Sequence, residues 1–236
     1  MDQDGLDKVA GIGAIAGIVL LFAANAIVGS APTAADPASK VARFLADGRT
    51  KVLTSAILFA IGYVALLTFS VGLRGWLRRG GDASALPTLV FGAGVWTITV
   101  GSFAVMAVAS AAYLAPALDP GTARTSFEMS NVGFTFLGAP FVALLGAASF
   151  SSLKTRALPA WIGWVGLLGA ALNLAKLVTV FPRSGFLAPG GGSSIVAVIP
   201  IWVWSIATGV VLIRGTKKAS AVAGSPTRTN PMAAMG

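Results

Sequence analysis

The chain has 236 residues, 56% hydrophobic and 11% charged, with a mean hydropathy of +0.83, a composition that excludes an ordinary soluble domain. Its net charge of +9 comes from residues scattered over short connections and the C-terminal end, without a compact basic block to neutralise a row of phosphates, which argues against nucleic acid as a partner. With no cysteine and no histidine, the chain has no disulfides, thiolate chemistry, Cys- or His-ligated metal or Ser-His-Asp triad.

Six continuous apolar stretches occupy residues 9–29, 52–73, 86–115, 129–150, 160–181 and 195–213. A helix rising about 1.5 Å per residue needs about 20 residues to cross ~30 Å of hydrocarbon. Barrel strands instead alternate in hydrophobicity over segments of about 10 residues. The expected fold is therefore all-α, a polytopic membrane helix bundle of six transmembrane helices over residues 1–218, with the lipid bilayer as its first partner.

The first stretch follows Asp2, Asp4, Asp7 and Lys8 and lacks the positive start of a secretory signal, so it is expected to stay as a helix, although Gly29, Ser30 and Ala31 leave a cleavage site open. Gly13 and Gly17 form a GxxxG step suited to close helix contact. Residues 30–51 make the longest external connection, in which Ser39 caps a short amphipathic helix edged by Val41, Phe44 and Leu45 and lying on the outer membrane surface. The third stretch is long enough to tilt. The tripeptides Ala85-Leu86-Pro87 and Ala157-Leu158-Pro159 close two short hairpins, and proline in a first turn marks the start of the next span. Pro140 and Pro200 each remove a backbone donor inside a span and predict kinks. The loop 182–194, with Pro189 and Gly190 to Gly192, reads as flexible, and no lysine stands in register to make it a phosphate cradle. From 219 to 236 the chain is small, polar and proline-containing, as expected of a disordered cytoplasmic tail.

Basic residues set the orientation, because cytoplasmic loops retain an excess of Lys and Arg. With the N-terminus inside, Lys8, Arg74, Arg78, Arg79, Lys154, Arg156, Arg214, Lys217, Lys218 and Arg228 face the cytoplasm, against Lys40, Arg43, Arg49, Lys51, Arg124 and Arg183 outside. Both termini are therefore expected in the cytoplasm.

Lys176 is the one ionisable residue well inside a stretch, and intramembrane charges are functional candidates by default. Asn173, Gly169 and Gly166 share its helical face at spacings of three and four. On the fourth span Glu128, Asn131 and Thr135 form a matching stripe, and counting from the connecting loop puts Lys176 level with Thr135, within easy reach of Asn131. Asn25, near the outer end of the first span, is at a similar depth. Two outcomes are open. Either Lys176 faces a hydrated, outward-facing pocket with these residues, or it snorkels to the interface and the asparagines are interhelical hydrogen-bonding groups. Trp96, Tyr63, Trp202 and Trp204 fall near mid-depth, as a pocket floor or as ordinary packing.

The hairpin Leu153-Lys154-Thr155-Arg156-Ala157-Leu158-Pro159, the following Trp161-Ile162-Gly163-Trp164-Val165-Gly166-Leu167-Leu168-Gly169 and the six-helix plan resemble the DUF4386-like family of uncharacterised bacterial membrane proteins, mainly over spans two to five. The resemblance implies a multi-pass protein of the bacterial inner membrane and no chemistry. From the residues, the leading expectation is non-enzymatic binding or passage of a small or amphiphilic molecule, including a lipid, in a polar pocket formed by Lys176, Asn173, Asn131, Glu128, Thr135 and Asn25, with no cofactor and no metal. The alternative is an accessory or scaffold subunit whose partner is a larger membrane complex. An enzyme is disfavoured because its usual acid, base and metal residues are missing.

Overall fold

In a computed structural model describing residues 3–33, 35–182 and 185–223, the chain forms helices and no strand among those residues. They are α1 (Gln3–Val28), α2 (Ala38–Asp47), α3 (Arg49–Arg79), α4 (Leu86–Leu114), α5 (Pro120–Phe136), α6 (Gly138–Thr155), α7 (Ala160–Lys176) and α8 (Gly192–Ala223). Six helical segments are long and apolar enough to cross a membrane, α5 and α6 counting as one of 36 residues. The expected all-α, six-span bundle is the fold.

The spans close into a ring in which α1 packs on α3 and α8, α3 on α4, α4 on α5 and α6, α6 on α7, and α7 on α8. Lipid is as apolar as leucine, so close approach and dispersion hold such a ring together more than water exclusion does. The GxxxG step serves this purpose. A methyl on Gly13 would come 2.7 Å from the Ala65 carbonyl oxygen of α3, and one on Gly17 would come 2.9 Å from the Leu66 side chain. Inside the ring, Phe69 of α3 and Trp204 of α8 meet edge to face at 5.8 Å between centroids, among Leu73, Leu145, Ile162 and Leu212. At the end of the bundle holding the N-terminus, Trp76 Nε1 donates to the Ala157 carbonyl at 2.9 Å, joining the two short hairpins. Arg79 of α3 there pairs with the buried Asp7 of α1.

At the opposite end α2 is not laid loosely on the surface. Val41 and Leu45 are fully buried against Ala111, Ala112, Ala123 and Phe127 on α4 and α5, and Phe44 stacks edge to face on Phe127. Ser39 does not cap this helix. The N-cap position is Pro37, without a side-chain cap. Asp36 instead accepts from Lys40 Nζ at 2.7 Å and from the Thr33 backbone N–H at 2.8 Å, and these bonds hold its carboxyl down at about 2.

The fourth span is where the structure adds most. Its helix starts at Pro120, nine residues before the apolar stretch, because Asp119 accepts from the N–H groups of Gly121 (2.9 Å) and Thr122 (3.0 Å) and Pro120 fills the first helical position. It then breaks at Leu137, three residues before Pro140. That proline offers no N–H to the Phe136 carbonyl, and its ring crowds the preceding turn. Pro200 behaves differently, since α8 runs through it unbroken to Ala223. The first residues of the expected tail, 219–223, are therefore helical, and 224–236 lie outside the described residues, as does Arg183.

Candidate functional site

Lys176 ends α7, is only 6% exposed, and donates through Nζ to the Phe134 carbonyl at 2.9 Å. Phe134 lies in the last turn of α5, where helical carbonyls run out of intrahelical donors and the helix dipole favours a cation. The ammonium caps the helix end that Pro140 creates. It neither snorkels nor bonds to Asn131.

Asn173 is fully buried and is used in a similar way. Its Nδ2 donates to Gly169 O on its own helix at 2.9 Å and to Ala197 O on α8 at 3.0 Å, one turn before Pro200. Its Oδ1 has no partner among the described residues. Thr135, also buried, returns its hydroxyl to Asn131 O at 3.1 Å. The Asn131 side chain is half-buried and faces Gly190 of the loop after α7, where a Cβ would sit 3.3 Å from Asn131 Oδ1 and φ is +75°. Asn25 is exposed on α1, its Nδ2 bonded to Leu21 O at 2.8 Å, and α1 packs on α3 and α8.

The six candidates therefore do not line one pocket. Lys176 and Asn173 tie α7 to the two proline-bearing neighbours, Thr135 serves its own helix, the glycine loop covers Asn131, and Asn25 is elsewhere. The aromatic floor is also dispersed: Trp96 is 48% exposed, Trp202 pairs with Phe22 at 5.6 Å, Tyr63 with Phe59 at 5.9 Å, and Trp204 is in the core.

Glu128 is the exception. It lines a groove of about 570 Å³ between α4 and α5, with Val100 and Phe103 on one wall and Arg124, Thr125, Met129, Val132, Gly133 and Phe136 on the other. One carboxylate oxygen of Glu128 is buried and has no hydrogen-bond partner among the described residues. The polar members, Arg124, Thr125 and Glu128, occupy the stretch of α5 nearer its start, and the apolar members continue for about 10 Å beyond them. The groove is polar at one end and hydrocarbon-like along the rest. Its floor is shallow because Gly133 lets α5 approach Ala104 of α4, where a Cβ on Gly133 would come 2.8 Å from the alanine methyl.

Of the groove residues only Glu128 was a candidate from the sequence: Arg124 and Thr125 precede the apolar stretch 129–150, and the apolar lining has no polar signal to mark it. The signal lay in Asp119-Pro120, an N-cap followed by a first-turn proline, which brings Arg124 and Glu128 onto one helical face at i, i+4.

Among comparisons with known proteins, a family model described as "Domain of unknown function (DUF4386)" matches residues 9–215. No curated protein and no solved structure matches the chain.

Proposed function

Since the chain belongs to the DUF4386 family, whose description assigns no activity, we propose from the geometry alone that this integral membrane protein is a non-enzymatic binder of an amphiphilic molecule held in the groove between α4 and α5. The observation that carries this is the division of one groove into a charged end, with Arg124 and Glu128, and an apolar run through Val132 to Phe136. A molecule with a polar head and a hydrocarbon tail matches both parts at once. Binding sites combine a mostly apolar lining with a few polar groups that fix orientation. The exposed flanks at Phe103, Met129 and Phe136 give lateral access from the bilayer, so a ligand need not cross water to arrive.

Val132→Trp tests the proposal by filling the groove from its wall while leaving the core face of α5 unchanged. Protein extracted from native membranes and weighed by native mass spectrometry is expected to retain an amphiphile that the variant lacks. If wild type and variant carry the same bound molecules, the groove is not a site, and docking onto a larger membrane complex becomes the better account. The placement we propose is the bacterial inner membrane with both termini in the cytoplasm, on the strength of the basic bias of the loops.

A further inference from the structure

Resting on that groove, we propose that its ligand is a lipid whose head carries a primary ammonium next to a phosphate, the phosphoethanolamine class, with the ammonium seated on Glu128. The argument starts from the orphaned carboxylate oxygen. A buried acceptor without a donor is costly, and an ionised one more so, unless a charged donor meets it. No protein donor among the described residues does so, and Glu128 faces the groove. Its second oxygen is not in that buried, unpaired state, and because the two oxygens share one negative charge, a cation bound there also offsets the charge on the orphan.

The donor must carry N–H or O–H groups and is best as a cation. A quaternary trimethylammonium has no such proton and is recognised by a cage of aromatic faces. The groove has two phenylalanines, and Phe136 is eight residues, about 12 Å, further along α5 than Glu128, which leaves at most one ring for the cation. Arg124 stands one turn above Glu128 on the same face. A guanidinium has five N–H donors, so it can keep a protein partner and still meet a phosphate. Carboxylate and guanidinium at i, i+4 match the opposite charges of a zwitterionic head, and an anionic head would place net negative charge against Glu128.

The test uses the whole protein in nanodiscs of equal dioleoyl phosphatidylethanolamine, phosphatidylcholine and phosphatidylglycerol, with retained lipids counted by native mass spectrometry after release. Wild type is expected to keep phosphatidylethanolamine over phosphatidylcholine by about tenfold, the ratio that one charge-assisted hydrogen bond supplies. Glu128→Gln is expected to bring that ratio close to one, and Glu128→Asp to keep part of it, which guards against reading misfolding as lost selectivity. Equal retention of the three lipids by wild type, with Val132→Trp removing them all, would overturn the head-group assignment and leave the groove standing. A preference for phosphatidylglycerol would overturn it too. Retention that Val132→Trp does not change would remove both proposals.

Discussion

Asn173 shows at the scale of one residue why a polar group inside a span need not mark a site. Replacing it by leucine keeps the bulk and removes the donor to the Ala197 carbonyl on α8. The Ala197 carbonyl keeps its helical donor within α8, so the loss is that of one buried hydrogen bond, about 0.5–1.5 kcal/mol, and no charge is relieved in exchange. Asn173→Leu is therefore expected to lower thermal stability in detergent, while amphiphile retention in the α4–α5 groove stays as in wild type. A loss of retained ligand at unchanged stability would return Asn173 to the binding residues. Lys176→Met is harder to sign, because the lost bond to Phe134 is offset by release of an ammonium from a low-dielectric interior, a cost of up to about 3 kcal/mol on insertion scales.

At the scale of the element that ambiguity can be resolved. If Lys176 caps the end made by Pro140, its value depends on the break at Leu137. In a Pro140→Ala background the helix regains an N–H for the Phe136 carbonyl, and an unbroken ladder no longer leaves the Phe134 carbonyl open. The desolvation relief from Lys176→Met is common to both backgrounds, so a double-mutant cycle cancels it and isolates the cap. Lys176→Met is expected to be less unfavourable, or more stabilising, with Pro140→Ala than with Pro140. Equal effects in the two backgrounds would mean that the bond does not belong to the kink. The element also explains why the groove exists. An α5 that begins at Pro120 and leans on α4 through Gly133 presents Arg124 and Glu128 along a wall that a helix starting at 129 would not have.

At the scale of the whole molecule the ring places the start of α1 and the end of α8 on one side and α2 on the other, and the orientation we propose from the basic bias makes those sides cytoplasm and exterior. The chain has no cysteine, so single cysteines can report the topology. Ser39 on α2 and Ala83 in the α3–α4 hairpin are both exposed. An impermeant maleimide on intact cells is expected to modify Ser39→Cys and to spare Ala83→Cys until the membrane is opened. The opposite pattern would invert the protein and place the groove's charged end on the cytoplasmic face.

The amino-acid sequence by itself determined that this is a six-span helical membrane protein, because length and continuity of apolar runs are local properties and the bilayer demands internal backbone satisfaction from any segment that crosses it. It also singled out Lys176 as an ionisable residue inside a span, since a charge within an apolar run is visible locally. Which carbonyl the lysine meets was decided only by the tertiary structure. Proline breaks one span at Leu137 and leaves another continuous through Pro200, and only the packed neighbours reveal that α7 reaches the Phe134 and Ala197 carbonyls. The same holds for the groove. Its two walls come from different helices, and one of them begins in residues whose polarity hides them from a hydropathy scan, so Glu128 joins Val100 and Phe103 only once α5 has been laid against α4.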